Sequence, residues 1–189
     1  MVNDKLIVEA KELDMNFENY TIRLISSLDV QDYFDMVQSN KKRLERFFAG
    51  TVSRTKSLEE TAVFLKEIEE GIQDKSYFAY LIIDNNTESM MGFLDLKNID
   101  WRVPKSEIGF FIDAHYAGKG ITSKALHEFC LYCFSNHGFE KLFLRTHKSN
   151  VPARKVAERC GFQIEGTLRR DYRTSSGELV DVLYYGKLR

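Results

Sequence analysis

Between residues 20 and 25, "YTIRLI" alternates apolar with polar side chains, the two-residue period of a half-buried strand. The period then lengthens. "DVQDYFDMVQSN" spaces its apolar residues as a helix does, and the pattern continues or restarts in "KKRLERFF". Ser57, with Glu60 three residues on, has the form of a capping box, and Ala62, Leu65, Ile68 and Ile72 then recur at helical spacing. From residue 76 the short period returns. "SYFAYLIID" (76–84), a turn at "NNTES", "MMGFLDLKNI" (90–99) and "SEIGFFID" (106–113) predict three strands of an antiparallel meander. A helix follows, with a stripe of Ile121, Ala125, Leu126, Phe129, Cys130 and Cys133, and Gly138 supplies its stop.

"KLFLRTH" (141–147) is the next strand. Asn150 can cap another helix, with Pro152 in its first turn, where a missing N–H costs nothing. Ala153, Val156, Ala157 and Cys160 make its buried side, and Gly161 ends it. The tail from Gly161 reads as two strands joined by a loop around "TSSGE". These elements make an α+β fold, a mostly antiparallel central sheet flanked by helices on its faces.

Length and composition narrow the picture further. A chain of 189 residues suits one domain able to bury a core without staples. The 27 Lys+Arg against 28 Asp+Glu leave a net charge of −1, which argues against a nucleic-acid binder working through bulk charge. No apolar run approaches the roughly 20 residues that cross a bilayer, so no membrane partner is expected. The N-terminus, "MVNDKLIVEAKELDMNFENY", carries charges throughout and lacks the apolar core of a signal peptide, making a cytoplasmic location the default. Cys130 and Cys133 have the CxxC spacing, but no second pair exists to complete a zinc site, so the three cysteines read as buried, reduced thiols and no metal is expected.

The candidate chemistry begins at "HYAGKGITSKAL" (115–126), where two glycines one residue apart open a helix. Glycine weakens a helix, so its use there points to a close approach to the backbone, and an anion is the favoured guest. A Walker A loop needs Ser or Thr after the lysine, and Gly120 follows Lys119. A dinucleotide fingerprint needs a third glycine where Ser123 stands.

A third reading fits both order and context. The string "SEIGFFIDAHYAGKGITSKALHEFCLYCF…KLFLRTHKSNVPARKVAERCGFQIEGTLRRDY…GELVDVLYYGKL" resembles the GCN5-related N-acetyltransferases (GNAT), and among them the RimJ/RimL-type branch. The motifs stand in order over roughly residues 90–188, while the first half matches only as a strand followed by helices. The resemblance implies acetyl-CoA as co-substrate, its pyrophosphate cradled by the backbone N–H groups of Gly118, Lys119, Gly120, Ile121 and Thr122. A helix N-terminus, with unpaired donors and about half a positive charge, suits that role. The family's loop usually begins with Gln or Arg where this chain has His115, which leaves open whether a side chain there touches phosphate.

In the family the strand before the loop carries a bulge and splays from its neighbour, and the pantetheine arm enters the gap. Here that implies Phe110, Phe111 and Ile112 as main-chain partners, with Asn150 and Arg154 flanking CoA. Without the resemblance, Phe110, Phe111 and Ile112 read as core packing and Asn150 as a helix cap. The same resemblance divides the chain into an N-terminal extension (1–19), a first strand with acceptor-side helices (20–75) and a CoA-binding core (76–189), all within one domain.

Acetyl transfer to an amine needs a neutral amine, a stabilised oxyanion and, in some cases, a proton for the leaving thiolate. An α-amine, pKa about 7.7–8.0, is at most about 1.4 kcal/mol from neutrality at pH 7, against about 4.6 kcal/mol for a lysine amine. Glu107, on the strand before the loop, is the first candidate base, acting through water; its plain alternative is an exposed strand glutamate. RimL-type members use a serine three residues after the motif asparagine and a glutamate in the tail, where this chain has Ala153 and Tyr172. That pair cannot operate here. Tyr172 can instead protonate the thiolate, since phenols are protonated at neutral pH, with Asp171 the charged alternative and simple packing the plain one.

The expected function is thus N-acetyl transfer to a primary amine, either a protein N-terminus or a small molecule. A non-enzymatic acyl-CoA-binding module on the same scaffold is the alternative, and a homodimer is compatible with either. Glu45, Glu59 and Glu60 can offer a cationic acceptor an acidic lining or be merely solvated.

Overall fold

The computed structural model describes residues 14–189; the charged stretch 1–13, on which the absence of a signal peptide was argued, lies outside the described residues. The strands are β1 (Met15–Phe17), β2 (Tyr20–Leu24), β3 (Phe78–Asp84), β4 (Ser89–Asp100), β5 (Lys105–Ile112), β6 (Lys141–His147), β7 (Gln163–Arg173) and β8 (Leu179–Leu188). The helices are α1 (Val30–Ser39), α2 (Lys41–Leu44), α3 (Ala49–Ser53), α4 (Leu58–Gln73), α5 (Ile121–Ser135) and α6 (Val151–Arg159).

The strands form one eight-stranded sheet in the order β1-β2-β3-β4-β5-β6-β8-β7. Every neighbouring pair is antiparallel except β5 with β6. The expected α+β class and its mostly antiparallel sheet are both present. One core lies on the α5/α6 face, where Ala125, Leu126 and Phe129 meet Leu94, Ile108 and Leu142. A second lies on the α1/α4 face, where Tyr33, Val37, Leu65 and Ile68 meet Leu81, Phe93 and Phe111. Alternation along β4 therefore sends Leu94 and Leu96 to the first face, and Phe93, Asp95 and Lys97 to the second.

Two elements were not predicted. β1 makes a hairpin with β2, Phe17 opposite Tyr20, through Glu18 at φ 50; three residues among acids carry too short a period to read as a strand. Of the two expectations for the stretch after α1, the restart is the one observed, as α2 beyond Asn40, and the separate, unpredicted α3 follows. Asn40 is buried because it bridges distant segments. Its Nδ2 donates to Asp113 Oδ2 at 2.5 Å and its Oδ1 accepts from Ala114 N at 2.9 Å, which pins the α1–α2 corner to the segment before the glycine turn.

Ser57 caps α4 by accepting from Glu60 N at 3.2 Å. The reciprocal arm is shifted, because Glu60 accepts from Lys56 N rather than from Ser57 N. Cys130, Cys133 and Cys160 are buried and free, and burial pushes the Cys130 thiol up to about 12. Their expected role as inert, space-filling thiols fits that environment.

Candidate active site

Among the described residues β5 and β6 are the only parallel neighbours, and they pair solely at Lys105–Lys141, Ser106–Leu142 and Glu107–Phe143. Beyond Glu107 they part. β5 stays in register with β4 as far as Ile112, so the main chain of Ile108–Ile112 has a ladder on one side only. Both strands run on, unpaired with each other, to their carboxyl ends, and each is followed by a helix, α5 after β5 and α6 after β6. Two helix N-termini thus stand at the mouth of one gap, the place where a parallel strand pair offers donors to an anion.

The bulge expected on β5 lies on its neighbour. Lys97 faces Glu107 and Asp100 faces Lys105, so β4 carries the extra residue, with Asn98 at φ 49. The bulge turns the Asn98 side chain back to β5, where Nδ2 donates to Glu107 Oε2 at 2.7 Å.

At the glycine turn, Gly118 and Gly120 hold φ of 80° and 82°, the left-handed region, and Gly120 is the residue that caps α5. A Cβ at either position would point into open space, nothing lying within 4 Å. Backbone conformation is therefore one reason for these glycines, and clearance for an approaching group is the second. No side chain caps α5, and the N–H groups of Gly118 to Thr122 have no partner among the described residues. His115 is exposed, with Nδ1 2.7 Å from Asp113 Oδ1.

A cavity of about 280 Å³ occupies the gap. β5 from Glu107 to Phe110 and β6 from Leu144 to His147 wall it, Asn150 and Ala153 of α6 close one end, and the segment 47–51 covers it from the α1/α4 side. Asp171 and Tyr172 of β7 reach in from the sheet's far edge. Of the residues anticipated from sequence, Glu107, Phe110, Asn150 and Tyr172 line this cavity. Phe111 lies in the α1/α4 core, stacked on Phe93 at 5.4 Å, and Ile112 is in the opposite core. Asn150 does cap α6, accepting from Ala153 N at 3.4 Å. Arg154 turns away from the cavity, its Nε donating to the Tyr185 hydroxyl at 3.1 Å and Nη1 to Lys148 O at 3.1 Å.

Glu107 is not an exposed strand glutamate. It is 4% exposed, and Arg145 grips it with Nε to Oε1 at 3.2 Å and Nη2 to Oε2 at 2.8 Å. The same guanidinium donates through Nη1 to Asp171 Oδ2 at 2.6 Å. Burial alone would lower the Arg145 pKa, but the hydrogen bonds and charges of Glu107 and Asp171 raise it above its ordinary value. The Tyr172 hydroxyl accepts from Ala49 N at 3.2 Å, which leaves its own proton free to point into the cavity. Opposite Glu107 on β4, Lys97 Nζ lies 3.4 Å from Asp95 Oδ2, and Asp95 also accepts from the Tyr77 hydroxyl at 2.8 Å. Lys97, Asp95 and Arg145 escaped the sequence reading; the only signs of them are charges interrupting the apolar alternation of β4 and β6. Glu45, Glu59 and Glu60 do not line the cavity, and Glu45 faces Lys41 at 3.8 Å. Among the described residues no group of acids, histidines and cysteines could hold a metal.

The family described as Acetyltransferase (GNAT) domain matches residues 19–163 of this chain. The chain belongs to the GNAT acetyltransferases. The match begins well before residue 90, so the first half carries the family pattern as well. The "Putative ribosomal N-acetyltransferase YdaF" of Bacillus subtilis (strain 168) is 30% identical over 182 residues, 91% of this chain and 92% of that protein. Among solved structures, RimL, the ribosomal L7/L12 alpha-N-protein acetyltransferase in complex with Coenzyme A, superimposes with a TM-score of 0.87 at 22% identity, covering 94% of this chain and 98% of its own. The microcin C7 self immunity acetyltransferase MccE, in complex with acetyl-CoA and AMP, does so with a TM-score of 0.83 at 18% identity, covering 92% and 94%. The GNAT fold expected from the glycine turn is the fold observed, and as a GNAT acetyltransferase the protein is an acetyl-CoA-dependent N-acetyltransferase. No helix among the described residues is long and apolar enough to cross a membrane.

Proposed function

We propose that this GNAT enzyme binds acetyl-CoA with its pyrophosphate at the Gly118–Thr122 turn and its pantetheine arm in the β5–β6 gap, and transfers the acetyl group to a primary amine entering from the α1/α4 side. The acceptor is a polypeptide N-terminus or a small-molecule amine. The observation that carries this reading is the parting of β5 from β6 beyond Glu107, which leaves one edge of β5 unpaired inside the cavity. The likeness to structures solved with Coenzyme A or acetyl-CoA supports the choice of ligand.

The acetyl carbonyl would lie against the free edge of β5, where main-chain donors stabilise the tetrahedral oxyanion. The amine attacks as its neutral form, and an α-amine loses its proton to water at a cost of at most about 1.4 kcal/mol at pH 7. The two Glu107 oxygens already accept from Arg145 and Asn98. Glu107 therefore suits holding Arg145 in place better than accepting a proton. Tyr172, its oxygen held by Ala49 N and its proton unspent, is the group suited to protonate the departing thiolate, and the proton that the attacking nitrogen sheds as the amide forms passes through water to restore the phenol. Alignment of the thioester and amine in one gap supplies the remainder of the rate.

Calorimetric titration with acetyl-CoA, beside a Gly120→Glu variant, tests the site. Micromolar binding by the wild type and none by the folded variant is expected. Failure of the folded wild type to bind would overturn the reading. Turnover with a panel of primary amines then tests transfer.

A further inference from the structure

The charges lining the cavity are Lys97, Glu107, Arg145 and Asp171. Three of them are committed to one another. Glu107 and Asp171 both accept from Arg145, which spends its Nε and both terminal nitrogens on them. The single guanidinium is thus shared between two carboxylates, and Asp171 keeps one oxygen, Oδ1, without a partner among the described residues. Lys97 differs. Its nitrogen has three donors, and its one partner is the Asp95 carboxylate, at 3.4 and 3.5 Å from the two oxygens. Those distances are long for a charge-assisted bond. The side chain is 33% exposed while Asp95 is 7% exposed, so the unspent donors face the cavity rather than the core. Burial works against the charge, but Asp95 and Glu107 raise the Lys97 pKa above its ordinary value, so the group is an ammonium at any physiological pH.

The backbone is shaped to keep that nitrogen there. Asp95 faces Gly109 across the β4–β5 ladder, and a Cβ on Gly109 would come within 2.9 Å of Lys97 Nζ and 3.1 Å of Asp95 Cγ. Glycine at 109 thus leaves room for the pair on the α1/α4 side of β5, the side from which the acceptor enters in the function proposed above.

We infer that Lys97 is the specificity-determining cation of the acceptor site and binds the oxygen of an α-aminoacyl acceptor, the carbonyl or carboxylate on the carbon next to the amine-bearing one. The inference rests on the acetyltransferase reading and deepens it. It selects amino acids and peptide N-termini, which share that oxygen, over polyamines and simple alkylamines, which lack it.

The test compares acetylation of a short alanyl peptide, free alanine, isopropylamine and a polyamine, with kcat/KM expressed per unprotonated amine. The wild type should favour at least one of the two alanyl acceptors over isopropylamine by more than tenfold. A preference for the peptide over free alanine identifies a chain N-terminus as the source of the oxygen, and the reverse identifies an amino acid. Lys97→Met, which keeps the apolar stem, should lower kcat/KM for the favoured acceptor at least tenfold and leave isopropylamine and the calorimetric acetyl-CoA affinity within about twofold. Lys97→Arg should restore most of the preference. Equal loss for all amines in Lys97→Met would assign Lys97 a structural role and overturn the inference. If Lys97→Met does not fold, the wild-type comparison decides alone: equal use of alanyl peptide, alanine and isopropylamine overturns it. Acetyl-CoA binding and transfer without preference would defeat this inference only; absence of acetyl-CoA binding would defeat the enzyme reading and this one with it.

Discussion

Replacing Gly109 by alanine should damage the floor of the cavity through one identifiable collision. Gly109 lies in β5 with an ordinary backbone, so alanine costs nothing in conformation there. The new methyl would sit 3.1 Å from Asp95 Cγ and 2.9 Å from Lys97 Nζ, and closer still to Asp95 Oδ1. Asp95 is 5% exposed and cannot swing into solvent, and its displacement also strains the 2.8 Å bond from the Tyr77 hydroxyl. Overpacking of this kind costs about 1–3 kcal/mol, and a buried hydroxyl left without a partner about 1–3 kcal/mol. A destabilisation on the order of 2–3 kcal/mol is therefore expected. With an m-value of about 2–3 kcal/mol/M, the urea midpoint should fall by about 1 M.

The cause can be isolated with a double-mutant cycle. Asp95→Ala removes the struck carboxylate, and is itself destabilising because it leaves Tyr77 and Lys97 without their partner. In the Asp95→Ala background, however, Gly109→Ala no longer meets an obstacle. The two single losses should exceed the double loss by at least about 1 kcal/mol, within the range for residues in direct contact. Additivity within about 0.5 kcal/mol, measured by urea unfolding, would refute the collision.

Three more outcomes are expected. Tyr172→Phe removes the one cavity phenol whose proton is unspent and should lower kcat at least tenfold, with acetyl-CoA affinity by calorimetry nearly unchanged; an unaltered rate removes Tyr172 from the mechanism. At the glycine turn, Gly120→Asn tolerates the left-handed φ of 82° and should retain most of the thermal stability, whereas Gly120→Ala should lose about 1–2 kcal/mol. Both should weaken acetyl-CoA binding if the open space beside Gly120 is needed for phosphate, and binding by Gly120→Asn at wild-type affinity would leave conformation as the glycine's sole purpose. His137, packed on Phe78 with Nε2 3.0 Å from the Tyr80 hydroxyl, is held by burial at a pKa of about 4, below its ordinary 6.5. Between pH 6.5 and 4 the unfolded chain binds a proton that the native protein refuses, so stability falls as pH falls through that window. His137→Gln should flatten the profile of unfolding free energy there, by on the order of 3 kcal/mol across the window; an unchanged slope would refute a neutral native His137.

Much of the fold was legible because its signals are local. Strand and helix periods, Asn150 with Pro152, and Gly138 and Gly161 at helix ends each depend on a few neighbouring residues, and the elements they predicted are present. The order of motifs around the glycine turn was enough to reach the GNAT family. β1 and α3 were missed because three- and five-residue elements hold too little pattern to compete with the loops around them.

The site divides along the same line. Sequence alone determined the turn at Gly118–Thr122, since left-handed backbone ahead of an uncapped helix is a demand that glycine meets locally. It also singled out Glu107 on the strand before the turn and Tyr172 in the tail, but said nothing of their partners. Glu107 meets Arg145 across 38 residues of chain, Arg145 meets Asp171 across 26, and Tyr172 meets Ala49 across 123. Those meetings depend on strand order and on the register of β5 with β6, and one extra residue in β4 brings the Asn98 side chain to Glu107 as well. A one-residue slip of β6 would send Arg145 to the opposite face of the sheet and leave Glu107 buried without its cation. Pairing across such separations is settled by packing the whole sheet at once, which is why the tertiary structure decided the charge network and the sequence could decide only the turn that faces it.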